Sequence, residues 1–178
     1  MPNSKYTQDE KDGYIKRGTN WIHHTFTYGE NFRIGDFCVI EEGCSVGDNV
    51  DMQNFVLLKK NTIIGNDCYV DSYFRSSGDN QIGNGCTLRF GSTIARSVFL
   101  GDNVFIAPNV MTVYSLPDGT KSSGTYIKNG AFIGTAAVLG PSIEIEEGCI
   151  IGANAFVNKS CLEKGVYVGN PAKMLRKL

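Results

Sequence analysis

From Phe32 to Thr112 the chain reads in six-residue units: FRIGDF, CVIEEG, CSVGDN, VDMQNF, VLLKKN, TIIGND and onward to VFIAPN. The third residue of each unit is large and aliphatic: Ile34, Ile40, Val46, Met52, Leu58, Ile64, Val70, Ile82, Leu88, Ile94, Leu100 and Ile106, with Ser76 and Thr112 the exceptions. A period of six matches neither the 3.6 of a helix nor the bare 2 of a long strand. It is the signature of short strands joined by turns and stacked into a parallel β-helix. Strand side chains alternate, so the residue two before each aliphatic also faces inward. Those positions hold Phe32, Cys38, Cys44, Val50, Val56, Thr62, Cys68, Cys86, Ser92, Val98, Val104 and Val110, mostly small or β-branched, with Phe74 and Asn80 departing from that rule. Gly35, Gly47, Gly65, Gly83 and Gly101 follow the aliphatic, where the chain is expected to turn a corner and glycine relieves backbone crowding.

The phase breaks once. Thr112 is the last position in register and Ile127 the next, about nine residues late. The intervening VYSLPDGTKSSG is turn chemistry, with Pro117, Asp118-Gly119 and Ser122-Ser123-Gly124, and predicts a loop over 113–124 ejected from a rigid body. Functional residues concentrate on such loops. The period then resumes at Ile127, Ile133, Leu139, Ile145, Ile151 and Val157. The prediction is an all-β fold of about six to seven triangular coils over residues 21–170. Polar residues 1–20 form an arm or cap, and Trp21, Phe26 and Tyr28 a lid on the first coil. AKMLRKL, within 171–178, is predicted to be a short capping helix after Gly169-Asn170-Pro171.

Composition narrows the function classes. A net charge of −1 with interspersed signs argues against a nucleic-acid or membrane-surface partner. The longest apolar runs fall far short of the ~20 residues that span a bilayer. The N-terminal MPNSKYTQDEKDGY has no apolar signal region, so a cytosolic location is expected. All six cysteines, Cys38, Cys44, Cys68, Cys86, Cys149 and Cys161, fall on the small inward position. There is no C-x-x-C, so they read as small hydrophobes with no metal expected. Cys68 and Cys86 lie one coil apart, about 4.8 Å, near enough for a disulfide, although a reducing cytosol favours free thiols.

Several residues stand out as chemistry. Ser76 breaks the aliphatic rule, and beside it Arg75, Asp79 and Asn80 mark either a packing adjustment or a site-forming face. His23 and His24 are the only histidines.

The hexads, the ejected loop and the closing FIGTAAVLG…CIIGANAFVNKS…GVYVGNPAK resemble the left-handed β-helix acyltransferases, over about residues 22–178. Within that family the nearest likeness is to enzymes that acetylate sugars or nucleotide-linked amino sugars. The resemblance implies the left hand, against the usual crossover rule. It implies a homotrimer with sites in the clefts between prisms, and acetyl-CoA or another acyl-CoA as co-substrate. The acyl-donor arm would lie along Gly134-Thr135-Ala136 and Gly152-Ala153-Asn154, with Lys159, Lys173, Arg176 and Lys177 toward the nucleotide phosphates. The acceptor, a sugar or nucleotide sugar, would meet Arg75, Asp79, Asn80 and Asn109.

The sugar O-acetyltransferases of this family place a histidine in the loop after a sequence like APNVMT. Here that loop has none, and Tyr114 and Asp118 are its nearest polar candidates, with His24 (or His23) from elsewhere. A hydroxyl acceptor needs a base, whereas a neutral amine is already nucleophilic and needs orientation and an oxyanion donor. The departure favours transfer to an amino group. O-acetylation of a sugar hydroxyl and a non-catalytic scaffold are the alternatives. A zinc carbonic anhydrase on the same fold would need three histidines.

Overall fold

The computed structural model describes residues 10–11, 13–116 and 118–178. Residues 1–9 and 12 of the expected arm, and Pro117, lie outside them. The hexads form the three faces of a parallel β-solenoid of about eight turns, more than the six to seven expected. Face I stacks Asn20–His23, Val39–Ile40, Leu57–Leu58, Arg75–Ser76, Thr93–Ile94, Met111–Thr112, Val138–Leu139 and Phe156–Val157. Face II runs from Thr27–Tyr28 to Glu144–Ile145, and face III from Arg33–Ile34 to Gly165–Val168. The extra turns come from both ends. Asn20–His23 already pairs with Val39–Ile40, and Gly165–Val168 pairs in parallel with Ile150–Ile151 although its hexad phase is lost.

The inward positions fill the prism as the period requires. Ile40, Leu58, Val70, Leu88, Ile94, Ile106, Ile133 and Leu139 are fully buried, and so are Cys38, Cys86 and Val50 two positions earlier. Phe74 is the largest of these side chains. Beside it Thr62, Ser76 and Asn80 form a polar knot inside the core. The Asn80 amide donates to Ser76 Oγ at 2.9 Å and accepts from the Val98 N–H at 2.8 Å. All six cysteines are buried and free, so Cys68 and Cys86 stack without bonding.

The glycines after the aliphatic do relieve backbone crowding, and the source of the crowding is the next coil. The left-handed backbone falls two residues later, at Asn31, Asn49, Asp67 and Asn103, where φ is 55–56°. Gly65 is needed because the next coil approaches: a Cβ there would lie 2.6 Å from Asn84 Oδ1 and 2.9 Å from the Gly83 carbonyl carbon. The same contact carries a side-chain ladder down the corner between faces II and III. The N–H groups of Asp48, Asn66 and Asn84 donate to Asn66, Asn84 and Asp102, each 18 residues on, at 2.7–2.8 Å. The Asp102 N–H continues the ladder to Asn129, 27 residues on. The nine additional residues are the ejected loop, and the strands resume their stacking above it, Met111 against Val138.

Both ends are closed by added structure. At the N-terminus Glu10–Lys11 and Tyr14–Arg17 add antiparallel strands to face I, and Phe26, Tyr28 and Phe32 cluster at the mouth with ring centroids 5.4–5.7 Å apart. At the other end there is no helix. Lys173–Lys177 is a strand antiparallel to Gly165–Val168. The exposed edge of face III offers unpaired backbone groups, and satisfying them outweighs the helical period of a seven-residue segment too short to nucleate alone. Among the described residues no helix is long and apolar enough to cross a membrane.

Candidate functional site

Stacking by 18 residues puts chemically related segments at equal places on successive coils. Gly134-Thr135-Ala136 and Gly152-Ala153-Asn154 lie one above the other on the corner between faces III and I, where Ala136 and Asn154 take φ of 56° and 57°. A Cβ on Gly134 would stand 2.7 Å from the Ala153 nitrogen, and one on Gly152 2.8 Å from Val168 Cγ1. Thr135 and Ala153 are exposed. The next coil thus fills the space of the missing Cβ atoms, and the corner shows solvent a strip of short side chains, Thr135, Ala136, Ala153 and Asn154. Asn109, with φ of 58°, sits one coil lower on the same corner and is exposed.

The opposite edge of face I carries the loop. It leaves after Met111–Thr112 and returns at Thr125–Ile127. A hairpin-like bridge between Ser115 and Lys121, with the Leu116 N–H donating to the Thr120 carbonyl at 2.8 Å, gives the loop its shape. Ser122 Oγ, accepting from the Ser142 N–H at 3.0 Å, ties it to the next coil. Under it lies a cavity of about 260 Å³ walled by Leu116, Lys121, Pro141, Ser142, Phe156 and Asn158. Phe156 and Met111 are exposed on face I between this cavity and the small-residue corner.

The expected site residues divide. Asp118 is exposed on the loop and accepts from the Thr120 N–H at 2.8 Å. That bond holds its carboxyl below the usual carboxylate range, which weakens it as a base. Tyr114 is half-buried at the root of the loop, packed against the core. His23 and His24 are elsewhere, at the end of strand Asn20–His23 and in the turn that follows it. His23 is buried against Thr25 Oγ1 (2.8 Å), and His24 Nδ1 meets the Gly13 carbonyl at 3.0 Å. Five strand-to-strand steps separate them from Met111–Thr112, roughly 24 Å along the axis.

The proposed acceptor face also separates. Asn80 is wholly buried and its amide is consumed inside the prism, so it does not face a ligand. Ser76 is the polar adjustment that receives it. Arg75 is exposed on face I two coils below Met111, and Asp79 sits on a corner with Asn61 (2.9 Å) and Arg96 (3.6 Å). Of the basic residues, Lys159 is exposed on the loop side of face I. Arg176, Lys173 and Lys177 lie on the closing strand of face III, where Lys177 is paired with Glu163 at 2.7 Å, which raises its pKa. Lys121, Ser142, Phe156 and Asn158 escaped the sequence reading. The phase jump located the loop, but only tertiary packing says which coil residues it covers.

A six-repeat model of the bacterial transferase hexapeptide matches residues 124–159. Residues 124–159 thus carry the repeat of bacterial hexapeptide transferases. The repeat is that of the left-handed β-helix. Among curated relatives, galactoside O-acetyltransferase of Escherichia coli is 31% identical over 91 residues, 46% of this chain and 45% of that protein. A chloramphenicol acetyltransferase of Agrobacterium fabrum is 35% identical over 74 residues, 41% and 35%. The matches thus span less than half of these relatives. Two solved structures share the hexapeptide fold. UDP-N-acetylglucosamine acyltransferase from Campylobacter jejuni has a TM-score of 0.63 at 16% identity, covering 89% of this chain and 73% of that one. AntD, an N-acyltransferase from Bacillus cereus in complex with dTDP-4-amino-4,6-dideoxyglucose and coenzyme A, has a TM-score of 0.56 at 20% identity, covering 86% and 84%.

Proposed function

We propose that this chain is an acyl-CoA-dependent acyltransferase that acetylates an amino group of a sugar or nucleotide-linked sugar. One observation carries the reading: the C-terminal half of face I lies between a strip of small residues, Gly134–Ala136 and Gly152–Asn154, and a loop-roofed cavity without a histidine. The thioester arm would run along the outside of the strip, where the small side chains of Ala136 and Ala153 let it approach the coil. The acceptor would enter from the loop side. Its neutral amine attacks the thioester carbonyl, the C–N bond forms, the C–S bond breaks, and the amine proton passes to the departing thiolate or to water. Asp118, kept ionised, would hold the arriving ammonium, which loses a proton to solvent water before the neutral amine attacks. Asn109, beside the strip, would meet the acceptor where it reaches the thioester. In a trimer of parallel prisms, a neighbour would complete the cleft, and Lys159 and Arg176 would face the donor's phosphates.

The galactoside O-acetyltransferase likeness favours a second reading, transfer to a sugar hydroxyl, with the base still to be supplied. Paired acceptors separate the two. With acetyl-CoA and matched amino- and hydroxy-sugars, free and nucleotide-linked, acetylation of the amino compound alone is expected. Transfer to hydroxyls alone would reverse the assignment. No transfer and no acetyl-CoA binding by calorimetry would leave a scaffold.

A further inference from the structure

Face II carries a second cavity, of about 480 Å³, on the edge away from loop 113–124. That is within the roughly 300–1,000 Å³ of small-molecule sites. The three-residue strands Val98–Leu100 and Thr125–Ile127 pair where the chain returns from the loop, so Phe99 stacks on Tyr126 with centroids 4.8 Å apart and planes 9° from parallel. Phe99 thereby covers one face of the Tyr126 ring. The other is turned toward Glu144, its partner on the next strand, and Tyr126 is 46% exposed.

The polar rim has unspent groups of definite kinds. Lys128 is committed, its ammonium bridging Glu144 (2.5 Å) and Glu146 (2.9 Å). Glu147 has no cation partner among the described residues, and it lines the cavity. Asn129 uses its Oδ1 on the Asp102 N–H, which leaves its Nδ2 to donate. A ligand made for this place has an apolar patch for the exposed part of the Tyr126 ring, a cation for Glu147, and a hydroxyl to accept from Asn129. An anionic ligand would meet two carboxylates and a cation already neutralised.

We infer that this cavity is a binding site for an amino sugar without phosphate, distinct from the acyl-transfer region. The face stands opposite the corner of Gly134–Ala136 in the triangular prism, so both sites can be filled in one chain. The inference holds whether or not the acyl acceptor reading does.

The test is titration of the full chain with the methyl glycoside of 2-amino-2-deoxyglucose, followed by shifts of the Gly101, Lys128 and Asn129 backbone amides. Saturable shifts at these amides are expected, with binding at least fivefold tighter than for methyl glucoside, and undiminished by saturating acetyl-CoA. Tyr126→Ala should weaken binding at least tenfold. Glu147→Gln should keep binding but erase the preference for the amine. Both side chains are on the surface, and thermal melts verify that each variant is folded. A chitosan-type oligosaccharide binding tighter than the monosaccharide assigns the ligand to a glycan end, and weaker binding assigns it to the free sugar; either supports the site. No saturable shifts at these amides, unchanged affinity in Tyr126→Ala, or cyclohexylamine binding as tightly as the amino sugar would overturn the inference.

Discussion

Asn80 shows what one residue does in a stacked core. Its side chain replaces a backbone acceptor for the Val98 N–H and donates to Ser76 Oγ. In Asn80→Ala both partners stay buried, and Val98 loses its acceptor. The expected cost is about 1–3 kcal/mol, read from the urea midpoint at unchanged slope. Asn80→Asp should cost more, since it adds a buried charge. The thiols make the second prediction at this scale. Burial pushes Cys38 and Cys44 up from the ordinary 9.0 and Cys161 up to about 12. A raised folded value means that the neutral thiol is the stabilised form. Its contribution is intact below 9.0 and is lost as pH climbs toward about 12. Melting temperature should therefore fall over that alkaline range. A thiol reagent at pH 8 should label less than one cysteine in the native chain and all six after denaturation. Rapid labelling of the native protein would contradict the burial.

At the scale of one hexad, two kinds of glycine carry opposite expectations. Gly65 has the next coil's backbone against its missing Cβ, whereas Gly130, with φ of 64°, has nothing within 4 Å. Gly65→Ala should destabilise by about 1–3 kcal/mol, the usual cost of overpacking. Gly130→Asn should be tolerated, since asparagine already occupies the left-handed corner at Asn49 and Asn103. Equal effects of the two substitutions in thermal melts would mean that the crowding between coils is not what selects glycine after the aliphatic. The hexad was legible from sequence because inward burial repeats every six residues. The conformational reason for its glycine was not legible, because the contact comes from a coil 18 residues away. The closing segment failed for the same kind of reason. AKMLRKL carries an amphipathic period, but the open edge of face III decides that it pairs.

For the whole molecule, rigidity fixes which groups can meet. His24 and the loop are held roughly 24 Å apart by five strand spacings. A three-fold axis along the solenoid would keep every neighbour's His24 at its own height, so trimerisation does not bring it to the loop either. His24→Ala is accordingly expected to leave acetyl transfer within about twofold, whereas loss of a general base typically costs 10²–10⁴-fold. The proposed donor strip makes the complementary prediction. Ala153 is exposed among small neighbours, so Ala153→Trp should raise KM for acetyl-CoA about tenfold, equivalent to ~1.4 kcal/mol, with the melting temperature unchanged. An unaltered KM would move the donor off this corner.

The sequence by itself determined the coil. An aliphatic at nearly every sixth position, from Ile34 to Val157, can bury its apolar surface only if the chain winds into a prism, and the nine residues out of phase must then stand outside it. It also showed the absence of a histidine from that loop. Only the tertiary structure decided what the winding brings together: that Asn80 points inward to serve Val98, that Lys121 and Phe156 wall one cavity, and that Phe99 and Tyr126 floor another. Burial by period is a local property of the chain, written in neighbouring letters. A cavity is made by residues 18 or 27 positions apart, and their meeting depends on how many residues each coil spends between them.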